Sequence, residues 1–127
     1  MSWRSAWQKF KATAEKEIPK GFFGTENLGP LLDKVEEAEK KYEKLLEKKG
    51  TSKDEMTRAK KELDTAAQKA YVAAEVYRKG AEEYKKRPDM EPPAKQQALT
   101  MVWHFLGTQI VKPIKKMQAV PAGQPLG

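Results

Sequence analysis

Hydrophobic residues recur along the chain at alternating intervals of three and four, which is the spacing of one face of an α-helix. The longest series lies in the middle of the chain. Its members are Met56, Ala59, Leu63, Ala66, Ala70, Ala73, Tyr77, Gly80 and Tyr84. A shorter series precedes it and consists of Leu31, Val35, Ala38, Tyr42 and Leu45. Both have the seven-residue period of helices that pack along a seam, so the pattern predicts two neighbouring amphipathic helices.

Glycine and proline residues divide the chain into helical segments and connections. The pattern predicts helices over about 2–18, 30–49, 53–87 and 94–111. Pro30 suits the first turn of a helix, and Gly50 suits the residue after a helix end. The run from Ser52 to Glu55 has the spacing of an N-terminal capping box. The segment 119–127 is rich in proline and glycine, and we expect it to be extended or disordered.

The lengths of these segments predict their arrangement. The third helix would be about 52 Å long and the second about 30 Å long, at 1.5 Å per residue. The short turn at Gly50 folds them into an antiparallel hairpin, so the second helix covers only half of the third. We expect the first and fourth helices to cover the other half. The prediction is an all-α fold: an elongated antiparallel bundle over 1–118, with a long spine helix, a two-helix coiled-coil-like arm and a three-helix body.

Composition excludes several kinds of chemistry. The chain of 127 residues has no cysteine and one histidine, His104. Disulfides, thiolate catalysis and cysteine-bound zinc or iron–sulfur clusters are therefore excluded. A carboxylate-bridged metal pair needs Glu-x-x-His motifs, and position 101 is a methionine. We therefore predict no catalytic residue, metal ligand or cofactor. His104 is expected to be half-buried with a local hydrogen bond, with a ligand or pH-sensing role as the alternative.

Aromatic residues are concentrated in the first helix, the loop after it and the fourth helix. Core packing is one explanation for them, and anchoring of a partner protein is the other, since aromatic residues dominate binding hot spots. The candidate interface residues are Trp3, Trp7, Phe22, Phe23, Trp103 and Phe105. The segment 94–111 is apolar over more of its circumference than two neighbours would cover. It is therefore, together with the helical arm, the predicted contact for a protein partner or a second copy.

The net charge of +7 suggests a second class of partner, namely nucleic acid or an acidic membrane surface. The excess is spread evenly, however. It is +2 over 1–32 from five basic and three acidic residues, +3 over 33–87 from sixteen and thirteen, and +2 over 88–127 from four and two. Local basic clusters occur at two places, which the prediction puts at opposite ends of the body. They are Lys85, Lys86 and Arg87, and Lys112, Lys115 and Lys116.

Function follows from these features only in outline. The favoured hypothesis is a non-enzymatic helical interaction protein, an accessory or scaffold subunit or adaptor of a larger assembly. The alternative is a binder of anionic surfaces, and a small enzyme or metal carrier built on bundle carboxylates ranks third. No secretory signal is recognised, and residues 1–18 fit an ordinary helix better than an organellar presequence. No segment reaches the length of a membrane span, so an intracellular, soluble protein is expected.

Overall fold

The computed structural model describes residues 2–24 and 28–127, which form helices and turns and contain no β-strand. The helices are α1 (Trp3–Ala14), α2 (Lys20–Phe23), α3 (Leu28–Glu47), α4 (Lys53–Lys85), α5 (Pro93–Leu106) and α6 (Lys112–Gln118). A single 3₁₀ turn, Pro88–Met90, connects α4 to α5. The predicted all-α helical bundle is confirmed.

The turn between α3 and α4 is built from its own polar groups. Gly50 adopts a φ of +83°, which a residue with a side chain rarely adopts. The hydroxyl of Thr51 lies within hydrogen-bond distance of the carbonyl oxygens of Leu45 (3.0 Å) and Lys48 (3.1 Å), which end α3. The Ser52 side chain accepts the backbone N–H of Glu55 (3.1 Å) and caps α4, as the sequence predicts.

Helix α4 is the spine of the bundle. Helix α3 packs along one side of it, α5 and α6 pack along another, and α1 contacts α3 and α5. The C-terminal helices reach further along α4 than predicted, because the amide of Gln118 donates to the carbonyl of Asp64 (3.3 Å). The two-helix arm is therefore covered by a third helix over part of its length.

Helix α5 continues into α6 through a single wide turn, Gly107–Val111, in which Lys112 N–H bonds to the carbonyl of Gly107 five residues earlier. The sequence pattern ended the fourth helix at about residue 111, close to Pro113, which lacks the N–H that an α-helix needs. The wider turn comes directly before the proline and shifts the hydrogen-bond pattern, so the helix continues to Gln118.

Arg78 of α4 contacts this turn. Its guanidinium lies 4.0 Å from the centre of the Trp103 ring, and its Nε donates to the carbonyl of Trp103 (3.2 Å). The other side of the group pairs with Glu75 (2.8 Å). A Cβ at Gly107 would lie 3.0 Å from the Nη2 of Arg78, so the absence of a side chain there leaves room for the guanidinium.

Helix α1 ends at Ala14, earlier than the predicted residue 18. The N–H groups of Lys16 and Glu17 bond three residues back, to Thr13 and Ala14, which tightens the chain into turns. Pro19 disfavours helical backbone at the residue before it, and this explains the early end. Ile18 is nevertheless buried, so the turn still contributes to the core.

The C-terminal segment 119–127 folds back onto the bundle, whereas the sequence suggested an extended or disordered tail. Tyr42 of α3 is fully buried, and its hydroxyl donates to the carbonyl of Gln124 (2.6 Å) and accepts the N–H of Gly123 (3.0 Å). Leu126 packs against the core. One hydroxyl thus provides the polar attachment of a segment that has few bulky side chains.

Replacing Tyr42 by Phe removes both hydrogen bonds and keeps the buried ring. We expect the free energy of unfolding to fall by about 1–2 kcal/mol, since each intramolecular hydrogen bond contributes about 1 kcal/mol. Amide hydrogen exchange should accelerate more in 119–127 than in α5, where it can rise only as far as global unfolding becomes easier. Equal exchange of the tail in both proteins would contradict the attachment.

Replacing Gly107 by Ala tests the packing of Arg78. In the Arg78→Ala background the change should stabilise the protein by up to about 1 kcal/mol, the helix propensity difference. With Arg78 present, the result should be less favourable by about 1 kcal/mol, because the new Cβ meets the guanidinium. Urea unfolding of the four proteins measures this coupling.

The matched control is Gly80→Ala, a helical position where a Cβ would lie 3.4 Å from the Phe22 ring. We expect its effect to be the same with and without Arg78. If Gly107→Ala behaves in the same way, Arg78 does not need the space.

Candidate functional site

Half of the predicted interface aromatics lie in the core. The exposed fraction is 0% for Trp7, 9% for Phe22 and 3% for Phe23. Trp7 packs between helices, with ring centres 5.7 Å from Tyr77 and 6.2 Å from Phe105. These side chains pack α1 and α2 against the spine helix, so they contribute little to the exposed surface of the protein.

Trp3, Trp103 and Phe105 are partly buried. Phe105 stacks on Phe10 of α1 at 4.3 Å, and the Trp103 ring is covered by Arg78. The apolar excess of the segment 94–111 is therefore largely taken up within the bundle. In α5, the one large apolar side chain with substantial exposure is that of Met101, at 50%.

His104 is exposed, whereas the sequence predicted a half-buried side chain. Its ring meets the edge of Trp103, with 5.1 Å between the ring centres. The backbone carbonyl of His104 accepts the hydroxyl of Thr108 (2.8 Å). Exposure follows from its position on α5, opposite the buried face formed by Leu99, Val102 and Leu106.

The two predicted basic clusters stay apart. Lys85 donates to the Thr100 hydroxyl (2.7 Å), Lys86 pairs with Glu83 (3.6 Å), and Arg87 pairs with Asp89 (2.8 Å). Lys112, Lys115 and Lys116 are exposed on α6. Lys115 lies over the ring of Tyr71, which is fourteen residues, or about 21 Å of helix, from Lys85. The clusters therefore do not form one basic patch.

A groove runs along the open side of the hairpin, between α3 and α4. We call it the hairpin groove. Its upper part, of about 450 Å³, is lined mainly by apolar side chains of α2, α3 and α4. Val72 and Val76 border it on α4, with exposed fractions of 51% and 64%. Among the described residues, these two and Met101 are the large hydrophobic side chains that are most exposed.

The lower part of the hairpin groove, of about 390 Å³, is cationic. It is lined by Lys34 of α3 and by Arg58, Lys61 and Lys69 of α4, with Glu62 as its one carboxylate. Glu62 is already paired with Lys41 (3.0 Å). In the part of the chain that the structure describes, no carboxylate lies within ion-pair distance of the four groove cations.

The sequence analysis missed this surface. Val72 and Val76 belong to neither heptad series, and the basic residues that line the groove are far apart in sequence. A signal was nevertheless present, because Lys69, Val72 and Val76 follow each other at helical spacing on the outer side of the strongest seam. Only the pairing of α3 with α4 brings Lys34 into the same groove as Lys69.

Carboxylates gather on the other side of α3. Glu36, Glu39 and Glu43 line a hollow of about 360 Å³, together with Lys40, Trp3 of α1 and the capping residue Ser2. Glu36 accepts the backbone N–H of Arg4 (3.3 Å) in the first turn of α1. Burial, then the charge of Glu43 and then that of Glu36 raise the pKa of Glu39 above its ordinary value. Among the described residues, no group of three or more potential ligand side chains is placed to hold a metal ion.

Comparison of the chain with models of known families, with characterised proteins and with solved structures finds no match. Within the described residues, no helix combines the length and apolar character needed to cross a membrane. The assignment of a function therefore depends on the surface of the bundle itself.

Glu39→Gln should stabilise the protein at about pH 7, because a carboxylate whose folded-state pKa is raised destabilises the folded state when it is charged. The folded state binds the proton more tightly than the unfolded state. The wild-type protein therefore regains stability as the pH falls through this pKa, and the advantage of the variant should shrink. The midpoints of urea unfolding of the variant and the wild type, compared across the acidic pH range, measure this change in the advantage.

The matched control is Glu37→Gln, the same change at an exposed position of α3. A stabilisation of Glu39→Gln that is independent of pH, or one equal to that of the control, would contradict the assignment.

Proposed function

We propose that this chain is a non-enzymatic helical interaction protein, an accessory or scaffold subunit or adaptor that binds another protein through the hairpin groove. The observation that carries the proposal is the exposure of Val72 and Val76, by 51% and 64%, beside a groove between two helices. Valine is a poorer helix former than alanine, leucine or lysine. At these positions it therefore weakens the free helix slightly and presents apolar surface to water.

Burial of that surface by a partner would explain the choice of residue. Complete burial of one valine side chain contributes about 1.5–3 kcal/mol. Contiguous exposed apolar surface bordered by polar groups is typical of protein interaction sites. The absence of a metal-binding group among the described residues leaves an enzyme or metal carrier without a specific observation in its favour.

Binding to nucleic acid or to an acidic membrane surface is the second candidate. The groove cations favour it, since Lys34, Arg58, Lys61 and Lys69 form no ion pair with a carboxylate of the described residues. The apolar half of the same groove favours a protein over nucleic acid, because the phosphate backbone of a nucleic acid does not bury valine side chains. We therefore rank a protein partner first.

Photo-cross-linking in the native cells tests the proposal. A benzophenone amino acid replaces Val76 in one variant and the exposed Lys48, near the tip of the hairpin, in the control. We expect Val76 to give a discrete adduct with one protein other than this chain, identified by mass spectrometry. The Lys48 variant should give none. The absence of such an adduct, or equal adducts from both positions, would overturn the proposal.

A further inference from the structure

Resting on the proposed function, we infer that the partner supplies an acidic amphipathic helix to the hairpin groove. The carboxylates of that helix lie against Lys61 and Lys69, and its apolar side chains lie against Val72 and Val76. The inference rests on the charge, the length and the curvature of the groove.

Charge is the first reason. Of the residues that the structure describes, four cations and one carboxylate line the lower part of the groove, and Lys41 already pairs with that carboxylate. Clustered like charges repel one another, and the repulsion is relieved when opposite charges lie within a few ångströms. A segment with three or four carboxylates at one end complements this half. Among the described residues, the apolar half contains a single charged side chain, that of Lys69, so the other end of the segment needs none.

Length is the second reason. From Arg58 to Val76 the groove follows eighteen residues of α4, or about 27 Å at the rise of an α-helix. A partner helix of about five turns fits this distance. Its acidic and apolar positions would be separated along its axis as they are in the groove, where the cations come first and Val72 and Val76 follow.

Curvature is the third reason, and it favours a helix over a bilayer. The groove lies between α3 and α4, and Leu31 and Ala66 are partly buried within it. A flat lipid surface would contact the exposed side chains along its edges and leave the interior unfilled. The partner helix, which is about 10 Å wide, instead lies along the groove between α3 and α4, as amphipathic helices do in other hydrophobic grooves.

Charge also argues against a second copy of this chain. A symmetric dimer places the same surface of both copies face to face. Lys61 and Lys69 of one copy would then face either the same cations or the valines of the other copy, and among the described residues the groove offers only Glu62 to pair with them. Docking of the acidic hollow at Glu39 into the groove of another copy would be head to tail, and such contacts form open chains unless they close into a ring.

Fluorescence anisotropy with synthetic helices tests the inference on the full chain. The probe is a labelled helical peptide of about eighteen residues, with glutamates in its first two turns and leucines at i, i+3, i+4 and i+7 in its last turns. Its twin carries lysine for every glutamate. We expect binding of the glutamate peptide that weakens as NaCl rises from about 50 to about 300 mM, and at least tenfold weaker binding of its twin.

Two double substitutions locate the site. Lys61→Ser with Lys69→Ser, and Val72→Ser with Val76→Ser, should each weaken binding of the glutamate peptide by about tenfold or more. All four positions are exposed, and circular dichroism checks the fold. The matched controls are Lys86→Ser with Lys116→Ser, which removes two charges elsewhere, and Met101→Ser, which removes exposed apolar surface on α5. We expect both controls to bind as the wild type does.

Four other outcomes would overturn the inference: no peptide binding, equal binding of both peptides, binding that the groove substitutions leave unchanged, and preferential binding to phosphatidylserine vesicles. Light scattering that shows self-association through the groove would also overturn it. If these outcomes occur while Val76 still cross-links one foreign protein, the proposed function stands and only the nature of the partner is wrong. If the cross-link is absent, the proposed function itself fails.

Discussion

The length of α4 is the constraint on which the rest of the fold depends. Its 33 residues extend about 50 Å and carry an apolar seam throughout, whereas α3 has 20 residues and covers about 30 Å. The remaining seam must be buried by other elements. Helix α5 lies along this part of α4, where Lys85 and Arg78 bond to Thr100 and Trp103. The wide turn at Gly107–Val111 keeps the chain helical past Pro113, so α6 goes on to the stretch around Asp64 that α3 also covers.

Polar groups at the ends of the helices decide details that hydrophobic pattern does not. Thr51 satisfies the last carbonyls of α3, and Tyr42 attaches the C-terminal segment through Gly123 and Gln124. Arg78 occupies the space left by Gly107 and covers the Trp103 ring. Tyr42 and Arg78 connect segments distant in sequence, whereas Thr51 bonds within its own turn. Periodic hydrophobic residues therefore form the core, whereas the connections between segments depend on individual side chains.

Periodicity predicted the helices and the hairpin, because seam spacing and the Gly50 turn are local signals. It did not predict the course of α6, since whether Pro113 ends a helix depends on the turn before it. Trp7 and Phe22 are buried in the structure. The sequence did not predict this, because helical spacing does not distinguish an aromatic residue of the core from one at an interface. The hairpin groove was missed because Lys34 meets Lys69 only after α3 and α4 pair. The sequence thus predicts the helices and their pairing better than it predicts which side chains lie together on the surface.

We propose that the groove face of α4 is free in the isolated protein and covered by a partner in the cell. Hydroxyl-radical footprinting measures this directly, side chain by side chain. We predict that labelling of Val72 and Val76 falls severalfold in the native assembly relative to the purified protein, while labelling of Met101, equally exposed but on α5, stays the same. Unchanged labelling of Val72 and Val76, or an equal loss at all three residues, would contradict the claim.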